Sequence, residues 1–209
     1  VGPGEGSAGY APPMTLGSRA NHDNFAEVIE RARRRDPAAW TTIYQRYSAS
    51  IFSFFHYQVR NRQTAEDLTA GVFLEGMQAA HRFSGDEKAL RAWLFRIGRH
   101  NLIDHIRSSR RAVLEDIETT SERELAARTL ATEDPEESAM NILVRDRVRA
   151  EVQRLSRDQR EVILLRLSGG LTSPEIAKIV GKSTGAVKAL QHRAMSALAK
   201  VLADTGDTG

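Results

Sequence analysis

Apolar residues recur at intervals of three and four along most of the chain, and no segment alternates convincingly between apolar and polar, so the pattern predicts helices and no strand. A first helix is expected over Asn24–Arg35. A second opens at Pro37, a residue suited to the first helical turn, and runs to about Val59. Its buried face is expected to carry Trp40, Ile43, Tyr44, Tyr47, Ile51, Phe54 and Phe55. Thr64, with Asp67 three residues on, reads as the cap of a third helix bearing Leu68, Val72, Phe73 and Met77. Ser84-Gly85-Asp86 signals a turn, and a fourth helix follows from about Glu87 to Arg110, with Leu90, Trp93, Leu94, Ile97, Leu102, Ile103 and Ile106.

The pattern then breaks. Between Glu115 and Glu137 only Arg123 and Arg128 oppose a run of carboxylates, and large apolar residues are sparse, so this stretch cannot build a core. Helical spacing returns near Met140 with Leu143, Val144, Val148, Val152 and Leu155. Ser156 reads as the cap of the next helix, Gly169-Gly170 as its stop, Thr172 with Glu175 as a capping box, Gly181 as a C-cap, and Ser183 as the cap of a last helix reaching about Leu202. The expected architecture is all-α: two small helical domains, over residues 21–112 and 140–203, joined by a flexible acidic linker at 113–139, with disordered tails at 1–20 and 204–209.

Composition narrows the function. The 209 residues carry a net charge of +3, too small a sum to identify a nucleic-acid partner without knowing where the basic residues sit. The absence of cysteine excludes disulfides and thiolate metal sites within this sequence. No apolar run approaches the ~20 residues that span a membrane, and Val1 to Gly17 lacks the charged start and apolar stretch of a signal peptide, so a cytoplasmic protein without membrane insertion is expected. Whether translation starts at Val1 or Met14 is left open. The six histidines are scattered, and no phosphate-cradling Gly-rich loop, His-Glu-x-x-His or Gly-x-Ser-x-Gly occurs. No enzyme, cofactor or metal site is expected.

Two constellations carry chemistry. Thr172–Val180, a turn at Gly181-Lys182 and a helix from Ser183 form a helix-turn-helix layout, held together by Ile176, Ala177, Val180, Val187 and Leu190. The second helix of such a motif enters the major groove of DNA. Its outer face is expected to show Thr184, Lys188, Gln191, His192 and Lys200, with the backbone N–H groups near Ser183 suited to a phosphate. The second constellation is a stripe on the fourth helix: Arg96, Arg99, Arg107 and Arg110 recur at helical spacing and can neutralise phosphates. Phe83 and Trp93 lie near it, and aromatic rings can stack on unpaired bases, although for Trp93 a core role is the simpler reading.

Ala65-Glu66-Asp67-Leu68-Thr69, Val72-Phe73-Leu74, Arg91-Ala92-Trp93-Leu94, Ile97, Asn101, Ile103-Asp104 and Arg107 resemble region 2 of sigma-70 family factors. Gln159-Arg160-Glu161-Val162, Gly170-Leu171, Glu175-Ile176-Ala177, Val187-Lys188 and Arg193-Ala194 resemble region 4. With an acidic linker in place of a region 3 domain, the layout is similar to the extracytoplasmic-function class, group 4. The resemblance implies a sigma factor that binds core RNA polymerase, recognises the −35 and −10 promoter elements and promotes DNA opening. Asp67, Leu68, Phe73 and Leu74 would then meet the clamp helices of the largest subunit, and region 4 the flap of the second-largest. Phe83, Ser84, Arg96, Arg99, Asn101, Arg107 and Arg110 would serve the −10 element. Ser183, Thr184, Lys188, Gln191, His192 and Lys200 would serve the −35 element. An anti-sigma factor is a further partner the class implies. The sequence departs from the family after Leu68-Thr69, where Ala70 and Gly71 replace Gln and Glu and remove two polar groups from the clamp-facing helix. The competing reading is a helix-turn-helix regulator that binds duplex DNA without polymerase.

Overall fold

The computed structural model describes the backbone of residues 17–59, 61–117 and 139–206, and the side chains of 25–59, 61–111 and 147–199. Among the described residues every regular element is helical: α1 (Gly17–Arg33), α2 (Pro37–His56), α3 (Arg62–Ala79), a single 3-10 turn (Ala80–Arg82), α4 (Glu87–Ile117), α5 (Ala139–Arg154), α6 (Arg157–Leu167), α7 (Ser173–Val180) and α8 (Thr184–Gly206).

The N-terminal half is built around α2. Asp36 caps it, accepting from the Ala38 N–H at 2.9 Å, and also pairs with Arg31 at 2.6 Å. The Arg31 hydrogen bond, aided by the backbone N–H, holds the Asp36 carboxyl below its ordinary range. Arg35, at φ 61°, turns the chain from α1 into α2 and donates to the Gln78 carbonyl at the end of α3, 2.8 Å away. The Trp40 indole N–H donates to the Ala32 carbonyl at 3.0 Å, so the largest ring of α2 is buried with its polar atom satisfied. Ile43, Tyr47, Ile51, Phe54 and Phe55 follow it on the face read from the sequence, packed against Phe25 and Ile29 of α1, Val72 of α3 and Leu90, Leu94 and Phe95 of α4.

Several boundaries differ from the sequence reading. α1 begins at Gly17, ahead of Asn24, and α8 runs on to Gly206. α4 continues to Ile117, into the stretch assigned to the linker; the rest of that linker, and the tail before Gly17, lie outside the described residues. Asn61, not Thr64, caps α3: its side-chain oxygen accepts from the Thr64 N–H at 3.0 Å, which places Thr64 inside the first turn.

In the C-terminal half Ser156 and Gln159 form a reciprocal capping box at the start of α6, with distances of 3.3 and 3.0 Å. Arg160 folds back to the carbonyls of Val152, Gln153 and Leu155, closing the sharp turn out of α5. Val162, Ile163, Leu164, Leu165, Leu171, Ile176 and Val187 form the core, over which α8 packs against α5, α6 and α7.

The two halves meet. Arg99 of α4 pairs with Glu161 of α6 at 2.9 Å, Gln153 donates to the Tyr57 carbonyl at 2.7 Å, and the Ser168 and Ser53 hydroxyls stand 3.3 Å apart. Gly169 is pressed against Phe95, so that a Cβ there would stand 3.3 Å from the ring.

Candidate nucleic-acid interface

α7 and α8 are set by the local chemistry read from the sequence. The Glu175 carboxylate accepts from the N–H and the hydroxyl of Thr172, both at 2.7 Å, anchoring the first turn of α7. Burial opposes its charge, but these two hydrogen bonds, with the positive charges of Arg91 and Lys88, hold the Glu175 carboxyl below its ordinary range. Gly181 ends α7 at φ 70°, its N–H returning to the Ala177 carbonyl at 2.9 Å. Lys182 in the turn pairs with Asp158 of α6 at 2.8 Å, and the Ser183 hydroxyl accepts from the Ala186 N–H at 3.2 Å to open α8. Ile176, Ala177, Val180 and Val187 are buried where the helices cross, and Leu190 is half-buried beside them.

On the face of α8 left open, Ser183, Lys188 and His192 are exposed and Thr184 is half-buried. Gln191 sits differently. Its amide oxygen accepts from the Ser173 hydroxyl of α7 at 2.8 Å, which ties the side chain back to the neighbouring helix. The Lys200 side chain lies outside the described residues.

In the N-terminal half the loop from Phe83 to Asp86 connects the 3-10 turn to α4, with Gly85 at φ 144° and the Asp86 carboxylate capping α4 through the Ala89 N–H at 2.9 Å. Phe83 is buried, and its ring centroid lies 5.1 Å from that of half-buried Trp93, the planes tilted by 33°. Trp93 thus packs on the core with one side and lines a cleft of about 590 Å³ with the other, alongside Ser84 and Arg96. Glu175, Lys178 and Ile179 of α7 close the opposite wall of that cleft. Arg96, Arg107 and Arg110 are exposed along α4, with Arg107 3.6 Å from Asp104. Asn101 is half-buried and faces Gly71 of α3. Arg99 leaves the stripe to bond Glu161.

A second surface lies on α2 and α3. Trp40, Tyr44, Ala70, Phe73, Leu74 and Met77 line an apolar groove of about 440 Å³. Leu74 is 61% exposed and Tyr44 48% exposed. Phe73 is 7% exposed under the Tyr44 ring, centroids 4.8 Å apart, so it forms the floor of the groove. Leu68 is half-buried against the core and Asp67 is exposed, accepting from Gln63 at 3.0 Å. The sequence reading missed Tyr44 as a surface residue because it falls on the apolar face of α2, and missed Arg91 and Glu161 as interface residues. A lone carboxylate directly before the run Val162–Leu165 was the available signal for Glu161.

Among the described residues no cluster of histidine and carboxylate side chains could hold a metal ion, and no helix is long and apolar enough to cross a membrane.

The family model for sigma-70 region 2 matches residues 43–112, and that for sigma-70 region 4 matches residues 145–198. The chain is 34% identical over 178 residues to the ECF RNA polymerase sigma factor BldN of Streptomyces coelicolor, covering 85% of this chain and 66% of that protein's length. It is 31% identical over 148 residues to the ECF sigma factor SigD of Mycobacterium tuberculosis, covering 71% and 68%. Among solved structures it is similar in fold to the sigma factor RpoE in complex with the anti-sigma factor NepR from Bartonella quintana, with a TM-score of 0.54 and 22% identity over 88% of this chain and 97% of that one.

Proposed function

Because the chain belongs to the sigma-70 family of RNA polymerase sigma factors, in the extracytoplasmic-function class, we propose that it binds core RNA polymerase, recognises −35 and −10 promoter elements and promotes DNA opening. The observation that carries this reading is the pairing, in one chain, of two different DNA-facing constructions: a helix-turn-helix with Lys188 and His192 outward, and an aromatic cleft of Phe83 and Trp93 beside Arg96. A major-groove helix suits duplex DNA, whereas a stacking cleft beside arginines suits single-stranded bases. A protein with both is suited to reading one element closed and holding the other open.

In this reading Ser183, Thr184, Lys188 and His192 meet the −35 duplex, with Lys200 farther along. Phe83, Ser84, Arg96, Asn101, Arg107 and Arg110 meet the −10 strand. The groove of Tyr44, Phe73 and Leu74, with Asp67 and Leu68 near it, docks on the polymerase clamp. Its exposed apolar side chains support this, since a regulator acting on duplex DNA alone has no use for such a groove. Region 4 seats on the flap. The chain supplies binding, and bond formation belongs to the polymerase, in the cytoplasm. An anti-sigma protein is a further partner, in keeping with the complex of the Bartonella factor. Run-off transcription with core polymerase on a library of genomic promoters tests the reading. Initiation at defined sites is expected; sequence-specific binding of duplex DNA by the chain alone, with no initiation from any template, would overturn it.

A further inference from the structure

Between α1, α2 and the start of α4 lies a cavity of about 400 Å³, lined by Ala26, Ile29, Glu30, Tyr47, residues 85–88 and Arg91. That size falls within the roughly 300–1,000 Å³ of small-ligand sites. Three carboxylates border the cavity, and each is already engaged. Glu30 pairs with Arg33 at 2.9 Å, Asp86 accepts from the Ala89 N–H at 2.9 Å, and Glu87 holds Arg46 and the Tyr47 hydroxyl. The two cations differ. Among the described residues neither Lys88 nor Arg91 makes a hydrogen bond or ion pair, although both charges act on Glu175. The Arg91 Nε–H is shut off from solvent and has no acceptor. A charged donor buried in that way is costly, so a ligand that supplies an acceptor recovers the difference. The free charge at the cavity is therefore positive, beside an apolar wall of Ala26, Ile29 and the Tyr47 ring.

We propose that this cavity binds a small organic monocarboxylate: its carboxylate meets Arg91 and Lys88, and a short apolar body lies along Ala26, Ile29 and Tyr47. The planar guanidinium matches the two oxygens of a carboxylate. A monoanion fits better than a dianionic phosphate, because Glu30, Asp86 and Glu87 line the same space. Asp86 and Lys88 also line the cleft of Phe83 and Trp93. Occupancy thus braces the loop at residues 83–86, in which Gly85 stands at φ 144°. On the reading of that cleft as a contact for single-stranded DNA, a braced loop binds the strand more tightly, since less is lost in ordering it.

The full chain titrated with linear monocarboxylates, from acetate to hexanoate at millimolar concentrations, tests the site. The backbone amide resonances of Gly85 and Asp86 should shift, and the melting temperature should rise with concentration, as binding to the native state requires. Primary alcohols of the same lengths, which lack the charge, and inorganic phosphate should bind more weakly. Arg91→Gln should lower carboxylate affinity by roughly tenfold, the loss of a charge-assisted hydrogen bond. Ala26 is exposed on the wall, so Ala26→Phe should fill the cavity and abolish binding while the chain stays folded. Binding by none of the carboxylates, alcohols that bind as tightly, phosphate that binds more tightly, or shifts that spare Gly85 and Asp86 would each overturn the site. Saturating hexanoate should tighten binding of mixed-sequence single-stranded DNA by roughly fivefold or more, and the DNA should tighten hexanoate binding by the same factor. Unchanged DNA affinity overturns the bracing of the loop. None of these measurements involves polymerase, so a native chain that binds carboxylates but never initiates with core overturns the sigma reading and leaves the cavity's ligand standing.

Discussion

The Ser173 hydroxyl of α7 donates to the side-chain oxygen of Gln191 on α8, 2.8 Å away, and so bridges the two helices of the helix-turn-helix. By helical phase Gln191 shares a face with Lys188 and His192, but its acceptor is committed within the protein. The bond ties α8 to α7 at this point.

Replacing Lys188 by Ala is therefore expected to cost roughly 1–3 kcal/mol against duplexes carrying the preferred base, and little against variants of it, if its contact is bidentate. Gln191→Ala should weaken binding to all −35 duplexes alike, and Ser173→Ala should reproduce that loss. Affinities for a panel of single-base −35 variants separate the two patterns. A base-specific loss for Gln191→Ala would show that the Ser173 bond breaks on the DNA.

The groove on α2 and α3 separates docking from folding. Leu74, 61% exposed, can become Asp with little effect on the fold, yet that substitution places a charge on the proposed docking surface. Core affinity should fall while the urea midpoint stays near that of the native chain. Phe73, 7% exposed beneath Tyr44, belongs to the core, and Phe73→Ala should cost about 3–5 kcal/mol of stability. Native core affinity for a folded Leu74→Asp chain would place the docking surface elsewhere.

The features legible in the sequence are those that local chemistry decides. The caps Ser156 with Gln159 and Thr172 with Glu175, and the left-handed turn at Gly181, each need only a few neighbouring residues, and each stands where the pattern puts it. Thr64 was read as the cap of α3, but Asn61, three residues earlier and equally able to accept from the first turn, serves instead. The fates of Arg99 and Gln191 were not legible because their partners lie 62 and 18 residues away. Helical phase names the face on which a side chain starts, not the partner a long side chain reaches. Phe73 shows the same limit: its residue type fitted either core or docking surface, and in the fold it is 7% exposed beneath the Tyr44 ring while also lining the groove.

Tyr47 gives the stability a dependence on alkaline pH. Burial, with the neighbouring Glu87 charge, pushes its phenol up to about 12 from an ordinary 10.0, and the hydroxyl donates to Glu87 at 3.2 Å while Arg46 pairs with the same carboxylate at 2.5 Å. The folded state thus keeps this proton more tightly than the unfolded chain does. Its contribution is full below about pH 10 and is lost progressively as pH rises toward about 12. Tyr47→Phe loses the hydrogen bond at neutral pH but removes this loss. The difference in unfolding free energy between the native chain and Tyr47→Phe should shrink across that interval. A constant difference would mean that the phenol ionises equally in both states.

Two glycines of α3 are expected to answer the same substitution with opposite signs. Glycine in a helix interior is less favourable than alanine by about 1 kcal/mol, so on propensity alone Gly71→Ala and Gly76→Ala should both stabilise. Their surroundings differ. A Cβ at Gly71 would lie 3.6 Å from the Asn101 side-chain nitrogen, an ordinary contact with a group that can shift. A Cβ at Gly76 would lie 2.9 Å from the Trp40 ring and 3.4 Å from Leu94. That ring is 3% exposed and held by its indole N–H on the Ala32 carbonyl, so although one part of it borders the groove, moving it away from Gly76 strains that hydrogen bond. Overpacking of this kind costs about 1–3 kcal/mol, which exceeds the propensity gain. Gly71→Ala should therefore raise the urea midpoint and Gly76→Ala lower it. Gly71 also stands beside Ala70, where the resemblance to region 2 implies polar residues, so Gly71→Glu measures whether the proposed docking helix binds core more tightly with one such group in place. A rise in the midpoint for Gly76→Ala would mean that Trp40 has room to move, and that the contact between α2 and α3 is looser than the distances imply.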